Sequence, residues 1–178
     1  MPDDQMIYMI GEPGAGKSTL MARLTEPWER FVATGQPRRD LLLEGETVRG
    51  VELGKRRAGG FSGTDALGSS VITVAERWLY QHEAPIVLGE GARLGNARFL
   101  KAGVDAGYRV TLVLLEHGDS ARWRAARSEA LGRTQNAAWV KGRATASRRL
   151  ADHPPAGVGV LRGHPDNLYP ILSERLGA

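Results

Sequence analysis

The chain has 178 residues, of which 42% are hydrophobic and 25% charged, with no cysteine and a net charge of +4. This balance predicts a single folded domain spanning residues 1–178, and it excludes wholesale disorder, a disulfide framework and thiolate chemistry. No apolar run approaches the roughly 20 residues that span a bilayer. Residues 1–4 contain no lysine or arginine, so we expect a cytoplasmic protein with no membrane partner. The four histidines are scattered along the sequence, which argues against a zinc site.

The positive charge is concentrated in one segment. Residues 119–150 contain eight lysines and arginines against two acidic residues, a net charge of +6, and the rest of the chain carries −2. Such a segment is either a solvated helical face or a phosphate-binding cluster, because arginine presents a planar fork of donors to phosphate oxygens.

Strand and helix patterns alternate along the chain. Short apolar runs that end in glycine or turn residues predict strands at residues 5–10, 85–91, 110–115 and 157–163, and alternation in VRGVELGKR predicts another at residues 48–56. Apolar residues at helical spacing predict helices at residues 17–25, 65–81, 94–106, 119–130, 137–151 and from about 167. We expect loops around a short helix at residues 27–46. Alternating elements require crossover connections, so the predicted fold class is α/β, with a parallel sheet of about five strands and helices on both faces.

The sequence GEPGAGKS at residues 11–18 fits the phosphate-binding loop pattern G-x-x-x-x-G-K-[ST], and it lies between a predicted strand and a predicted helix. Backbone N–H groups must converge on the phosphate, so glycines stand where a Cβ would block that approach. Lys17 is expected to contact the β and γ phosphates of ATP, and the Ser18 hydroxyl to bind Mg²⁺. The alternative is a glycine-rich turn with an incidental lysine. The predicted nucleotide-binding residues are Gly11, Gly14, Ala15, Gly16, Lys17, Ser18 and Thr19.

A magnesium nucleotide also needs an acidic group at the end of a neighbouring strand. Glu90 follows the apolar run PIVL and is predicted to lie at the carboxyl edge of the sheet, where open α/β sheets bind their ligands. Glu116, after the run VTLVLL, is a weaker rival. The alternative for Glu90 is a surface glutamate in a turn flanked by glycines.

The order of these motifs resembles the P-loop kinases of the nucleoside and nucleotide kinase group: strand, GxxxxGKST, helix, an apolar strand ending in Glu-Gly, then VTLVLL followed by ARWRAAR. No N-K-x-D motif typical of GTPases is present. The resemblance implies a P-loop NTPase fold with an arginine-rich lid at about residues 119–140. Arg122, Arg124, Arg127 and Arg133 fall in that lid. Arg124, Arg127 and Arg133 are the predicted catalytic arginines, although each is alternatively an exposed helical side chain.

Residues 55–70 are predicted to form the acceptor site. Thr64 or Asp65 is a candidate helix N-cap. Asp65 is alternatively the carboxylate that takes the proton of an acceptor hydroxyl. Glu52 is a second candidate for this base. Trp139, among the cations of residues 132–149, is either a stacking platform for a base or a packing residue of the last helices. The predicted acceptor-binding residues are Glu52, Arg56, Arg57, Phe61, Thr64, Asp65, Arg93, Trp139 and Arg143.

The combination of GTDALGSS, GEGARL and the arginine-rich tail also resembles small kinases of tailed bacteriophages that phosphorylate 5-hydroxymethyluridine in DNA. This resemblance implies phosphoryl transfer from ATP to a hydroxymethylated base, with DNA held by the basic segment and the host cytoplasm as the location. A free deoxynucleoside monophosphate kinase and a nucleotide-dependent switch or ATPase module are the alternative functions.

Overall fold

The computed structural model describes residues 4–56 and 62–177. These residues form one seven-stranded sheet, six α-helices and a short 3-10 turn at Thr64–Ala66. The strands are β1 Gln5–Gly11, β2 Glu29–Val32, β3 Arg39–Glu44, β4 Thr47–Leu53, β5 Ile86–Glu90, β6 Arg109–Leu115 and β7 Gly159–Gly163. The helices are α1 Lys17–Leu24, α2 Val71–Leu79, α3 Ala97–Asp105, α4 Ser120–Leu131, α5 Ala137–Asp152 and α6 Pro165–Leu176.

The strand order in the sheet is β2-β3-β4-β5-β1-β6-β7. The five strands predicted from the sequence are β4, β5, β1, β6 and β7, and all of them run parallel. The α/β class with helices on both faces is therefore confirmed. Parallel strands present their carboxyl ends at one edge, so the loops that follow β1, β5, β6 and β7 meet there.

The region 27–46 differs from the expectation of loops around a helix, because it forms β2 and β3. These strands and β4 make an antiparallel meander at one side of the sheet. The turn between β3 and β4 contains Gly45 with a positive φ of 59°. The segment RDLLLE forms β3, and its Leu42 is fully buried. Neither ERFV nor RDLLLE alternates polar and apolar residues, so the period-two signal of a half-buried strand is missing from both.

The helix predicted at residues 65–81 begins later, at Val71. Residues 64–66 form the 3-10 turn instead, and Gly68 lies between the two elements. Neither side chain caps α2, because the Thr64 hydroxyl is hydrogen-bonded to the last residue of β5 and the Asp65 carboxylate to the segment that follows β5. This difference brings Asp65 to the carboxyl edge of the sheet.

Side chains of β1 divide the core into two layers. Met6, Tyr8 and Ile10 face the cluster that contains α2 and α3, whereas Ile7 and Met9 face the cluster that contains α1 and α6. Each such fully buried large side chain contributes on the order of 1.5–3 kcal/mol. The strand that leads into the glycine-rich loop is thus held rigidly from both faces. Among the helices of the described ranges, none combines the length and the apolar character needed to cross a membrane.

Candidate nucleotide site and acceptor groove

The glycine-rich loop connects the buried strand β1 to the first turn of α1. Gly14 has a positive φ of 84°, and a Cβ at this position would lie 2.7 Å from the Arg124 Cβ, so a side chain here is excluded by backbone and by space. Lys17 donates to the carbonyl oxygens of Gly11 and Glu12, at 3.1 and 3.0 Å. Burial lowers the pKa of Lys17, and the charges of Glu90 and Asp65 oppose that shift. The Lys17 side chain is therefore folded back over its own loop.

Glu90 lies beside the loop, as expected from its place at the end of β5. Its Oε1 accepts from the Ser18 hydroxyl at 2.7 Å and from Ser62 at 3.4 Å. Glu90 is only 4% exposed, and burial raises its pKa above the usual value, although the Ser18 hydrogen bond and Lys17 oppose the shift. A hydroxyl and a carboxylate so close together at the phosphate end of the loop form the hard oxygen donor set that suits Mg²⁺. These two residues fit the ion.

Asp65 is held against the segment that follows Glu90. Its Oδ1 accepts from the backbone N–H groups of Ala92 and Arg93, at 2.7 and 3.0 Å. Gly91 permits this approach, because its φ is 111° and a Cβ there would lie 2.9 Å from the Asp65 Cγ. Two carboxylates from distant parts of the sequence, Asp65 and Glu90, thus stand near Lys17.

A buried tyrosine links the segment that contains Thr64 to the segment that follows β5. Tyr8 on β1 lies 2.7 Å from the Thr64 hydroxyl and donates to the Gly91 carbonyl at 3.1 Å. Thr64 donates in turn to the Glu90 carbonyl at 2.9 Å. Thr64 is fully buried, so the expectation that it binds the acceptor is corrected: it contacts main chain and positions its neighbour Asp65. The role of Tyr8 was missed, because a tyrosine in an apolar strand carries no sequence signal other than core packing.

Helix α4 packs directly on the glycine-rich loop. Arg124 Nη1 donates to the Pro13 carbonyl at 3.0 Å and to Glu12 at 3.2 Å. Arg127, one turn later, faces both cavities that adjoin the loop. Arg122 points elsewhere, since its exposed guanidinium pairs with Asp119 at 2.9 Å. The predicted shared face of Arg124 and Arg127 is present.

A groove of about 840 Å³ joins the predicted donor and acceptor regions. One wall contains Asp65, Glu90 and Arg93, and the opposite wall belongs to α4, α5 and the connection between them. Trp139, 44% exposed, stands in the opposite wall. The predicted site residues that line this groove are Gly11, Gly14, Lys17, Ser18, Asp65, Glu90, Arg93, Arg124, Arg127, Arg133, Trp139 and Arg143.

Two predicted acceptor residues lie away from this groove. Glu52 is 6% exposed and pairs with Arg30, which also binds Asp40 at 3.0 Å. Arg56 donates to the Thr25 hydroxyl at 3.1 Å and lies 3.9 Å from Glu52. Glu52 therefore belongs to a buried cluster of charged side chains that includes Arg30 and Asp40. Arg57 and Phe61 lie outside the described residues.

A second cavity, of about 420 Å³, lies on the other side of α1. It is bounded by Trp123 of α4 and by Pro165 and Asp166 at the start of α6, with Thr19 and Arg23 on α1. Sequence reasoning missed this cavity, because α4 and α6 meet only through the sheet order. The one available signal was the aromatic residue inside ARWRAAR.

A glycine-rich loop between a central parallel strand and a helix, with a carboxylate on the adjacent strand, defines a P-loop NTPase. The family model of the P-loop Nucleotide Kinase3 family matches residues 2–177, and the chain belongs to this family. No curated protein matches the chain. Membership of a nucleotide kinase family indicates a kinase that acts in nucleotide phosphotransfer, a reaction for which P-loop kinases generally use ATP and Mg²⁺.

Proposed function

We propose that this protein is an ATP- and Mg²⁺-dependent kinase that transfers the γ-phosphoryl group to a hydroxyl of a nucleotide-type acceptor, with 5-hydroxymethyluracil in phage DNA as the sharpest candidate. One observation carries the proposal: a single groove contains Lys17, Asp65, the lid arginines and an exposed tryptophan. This arrangement supports a donor phosphate, a carboxylate for the acceptor and a platform for its base within one cleft.

The donor binds through the glycine-rich loop. The N–H groups at the start of α1 and the Lys17 ammonium contact the triphosphate, and the second cavity receives the base, which stacks on Trp123. Lys17 then exchanges its two loop carbonyls for phosphate oxygens. Ser18 and Glu90 would hold Mg²⁺, which supplies neutralisation of the phosphate charge.

The acceptor binds in the larger groove, with its hydroxyl next to Asp65. The bond between the acceptor oxygen and the γ-phosphorus forms while the bond from that phosphorus to the β-γ bridging oxygen breaks, so ADP leaves. The Asp65 carboxylate takes the hydroxyl proton. Arg124, Arg127 and Arg133 stabilise the charge on the transferring group. Closure of this basic wall excludes water, which would otherwise hydrolyse the γ-phosphate.

Two features favour a base within a polymer as the acceptor. Trp139 is exposed at the wall of the groove, where an unpaired or flipped base can stack on it. The segment 119–150 carries a net charge of +6, and cations on α5 such as Lys141 and Arg149 are exposed, as suits a phosphodiester backbone. A primary alcohol on the stacked base then gives Asp65 a proton to remove.

Labelled ATP and a panel of acceptors test the proposal. The panel contains single- and double-stranded DNA with 5-hydroxymethyluracil, the same DNA with thymine, and each free nucleoside monophosphate. We expect label on the hydroxymethylated polymer and none on thymine DNA, with Asp65→Asn as the inactive control. Label on a diphosphate alone identifies the monophosphate kinase instead. Turnover of ATP that no acceptor stimulates identifies a switch or ATPase and overturns the kinase assignment.

A further inference from the structure

Three potential metal ligands from two distant loops meet behind the glycine-rich loop. His117 and Asp119 lie between β6 and α4, and His164 precedes α6. One ligand atom from each of the three residues lies within 4.8 Å of the other two. We propose that His117, Asp119 and His164 form a binding site for a transition-metal dication of the Zn²⁺ class. The expectation from the sequence that the histidines are too scattered is thereby reversed for two of the four.

The donor types and the spacing fit such an ion. His164 Nε2 lies 3.6 Å from Asp119 Oδ2. Two ligands of a tetrahedral zinc ion, each at about 2.0 Å, stand about 3.3 Å apart, so this pair needs only a small adjustment, and His117 has to move by no more than about 1.5 Å relative to either. Imidazole nitrogens with one carboxylate favour Zn²⁺, Co²⁺ or Ni²⁺ over Mg²⁺, which prefers oxygen ligands only. The site is therefore distinct in chemistry from the pair of oxygen donors at Ser18 and Glu90.

Each ligand also has a partner on its far side. His117 Nε2 lies 2.9 Å from the Ala15 carbonyl, and donation to that oxygen leaves Nδ1 as the ligand atom. Asp119 Oδ1 is held by Arg122 at 2.9 Å, which leaves Oδ2 facing His164. His164 Nδ1 lies 3.6 Å from Asp166 Oδ2, so once Nε2 binds the ion a small shift of the Asp166 side chain gives the Nδ1 proton an acceptor. Metal-bound histidines and carboxylates in proteins have such second partners, which fix the tautomer and the ring orientation.

Binding of the ion replaces only two weak hydrogen bonds of the histidine side chains. His117 Nδ1 accepts from the Asp119 N–H at 3.2 Å, and His164 Nδ1 accepts from the Asp166 N–H at 3.2 Å. The two imidazoles already stand with ring centroids 4.5 Å apart. An ion at this point joins the start of α4 to the start of α6, the two elements that also bound the second cavity. Three protein ligands leave a further position for water.

Trp123 provides a spectroscopic reporter of the site. Its ring centroid lies 4.6 Å from that of His117 and 5.3 Å from that of His164. A paramagnetic Co²⁺ bound between these imidazoles quenches the fluorescence of Trp123 on contact. This readout does not depend on enzyme activity.

The test uses untagged, nucleotide-free protein stripped with a chelator. Zn²⁺ is titrated in competition with a chromophoric zinc chelator. We expect about one Zn²⁺ per chain, retained in excess Mg²⁺. His117→Ala and His164→Ala should each weaken binding by at least about tenfold. His82→Ala and His153→Ala are the matched controls and should bind as the parent does; both positions are exposed, and His82 is paired with Asp4 at 2.6 Å.

Co²⁺ titration provides the second measurement. We expect fluorescence quenching that is lost in Trp123→Phe, while this variant still binds Zn²⁺. Asp119→Asn serves if an alanine variant is unfolded by circular dichroism, and it should lower the affinity as well. Absence of stoichiometric Zn²⁺ binding overturns the proposal. So does binding that survives the loss of either histidine, or quenching that persists without Trp123.

Discussion

Asp65 has an observed structural contact and a proposed chemical role, and replacement by asparagine distinguishes the two. The carboxylate accepts from the N–H groups of Ala92 and Arg93. Asparagine keeps a carbonyl oxygen at the same position but is a far weaker base. Hydrogen bonds to a charged group contribute about 1.5–3 kcal/mol each and neutral ones about 0.5–1.5 kcal/mol. Asp65→Asn should therefore lower the free energy of unfolding by about 2–3 kcal/mol, and Asp65→Ala by about 3–6 kcal/mol.

The kinetic effect should follow a different order. A general base contributes roughly 10²–10⁴-fold to the rate, so Asp65→Asn and Asp65→Ala should both reduce kcat to this extent. ATP affinity should hardly change in Asp65→Asn, because the donor contacts lie on Lys17 and Ser18. Denaturant melts, equilibrium nucleotide binding and single-turnover transfer measure the three quantities. If Asp65→Asn transfers phosphate at the parental rate, Asp65 only anchors the loop and the assigned proton acceptor is wrong.

Four further variants test the other assigned contacts. Lys17→Ala should reduce transfer more than about a hundredfold with an unchanged circular dichroism spectrum, and retained activity contradicts the role of Lys17. Arg127→Ala should reduce kcat by a similar factor. The control is Arg122→Ala, whose side chain is 76% exposed, and it should change kcat by no more than about twofold. Equal losses of kcat in the two variants would show that Arg127 has no special role. Trp139→Ala should raise KM for the acceptor about tenfold or more, but not KM for ATP. Trp123→Ala should do the reverse, and initial-rate kinetics in both substrates separate the two.

The glycine-rich loop could be predicted completely, because its chemistry is local. Glycines, Lys17 and Ser18 are fixed by backbone geometry within eight consecutive residues, and the flanking apolar strand completes the pattern. Glu90 was also predictable, since a carboxylate at the end of a buried parallel strand reaches the same edge as the loop. Four of the five parallel strands followed from short apolar runs, and β4 followed from a weaker alternation of polar and apolar residues.

The acceptor side was predictable only in part, because it depends on pairings between distant segments. Glu52 and Asp65 are equivalent in sequence terms, as acids near a basic stretch. What separates them is Arg30 on β2, a strand that the sequence did not indicate, which pairs with Glu52. The second cavity and the cluster of His117 and His164 depend in the same way on β7 lying beside β6. The periodicity of hydrophobic residues in a sequence does not show which strands are neighbours in the sheet.

The environments of Asp65 and Glu90 support a division of labour between two neighbouring acids. Glu90 is nearly inaccessible, receives the Ser18 hydroxyl and has a raised pKa because of its burial. Glu90 is thus suited to hold a cation, because attraction to the cation offsets the free-energy cost of burying the charged carboxylate. Asp65 borders the groove, with one oxygen fixed by two amides, so its orientation is set before an acceptor arrives. A carboxylate held in this way costs little reorganisation when it takes a proton, which is why Asp65, and not the better buried Glu90, is assigned to the acceptor.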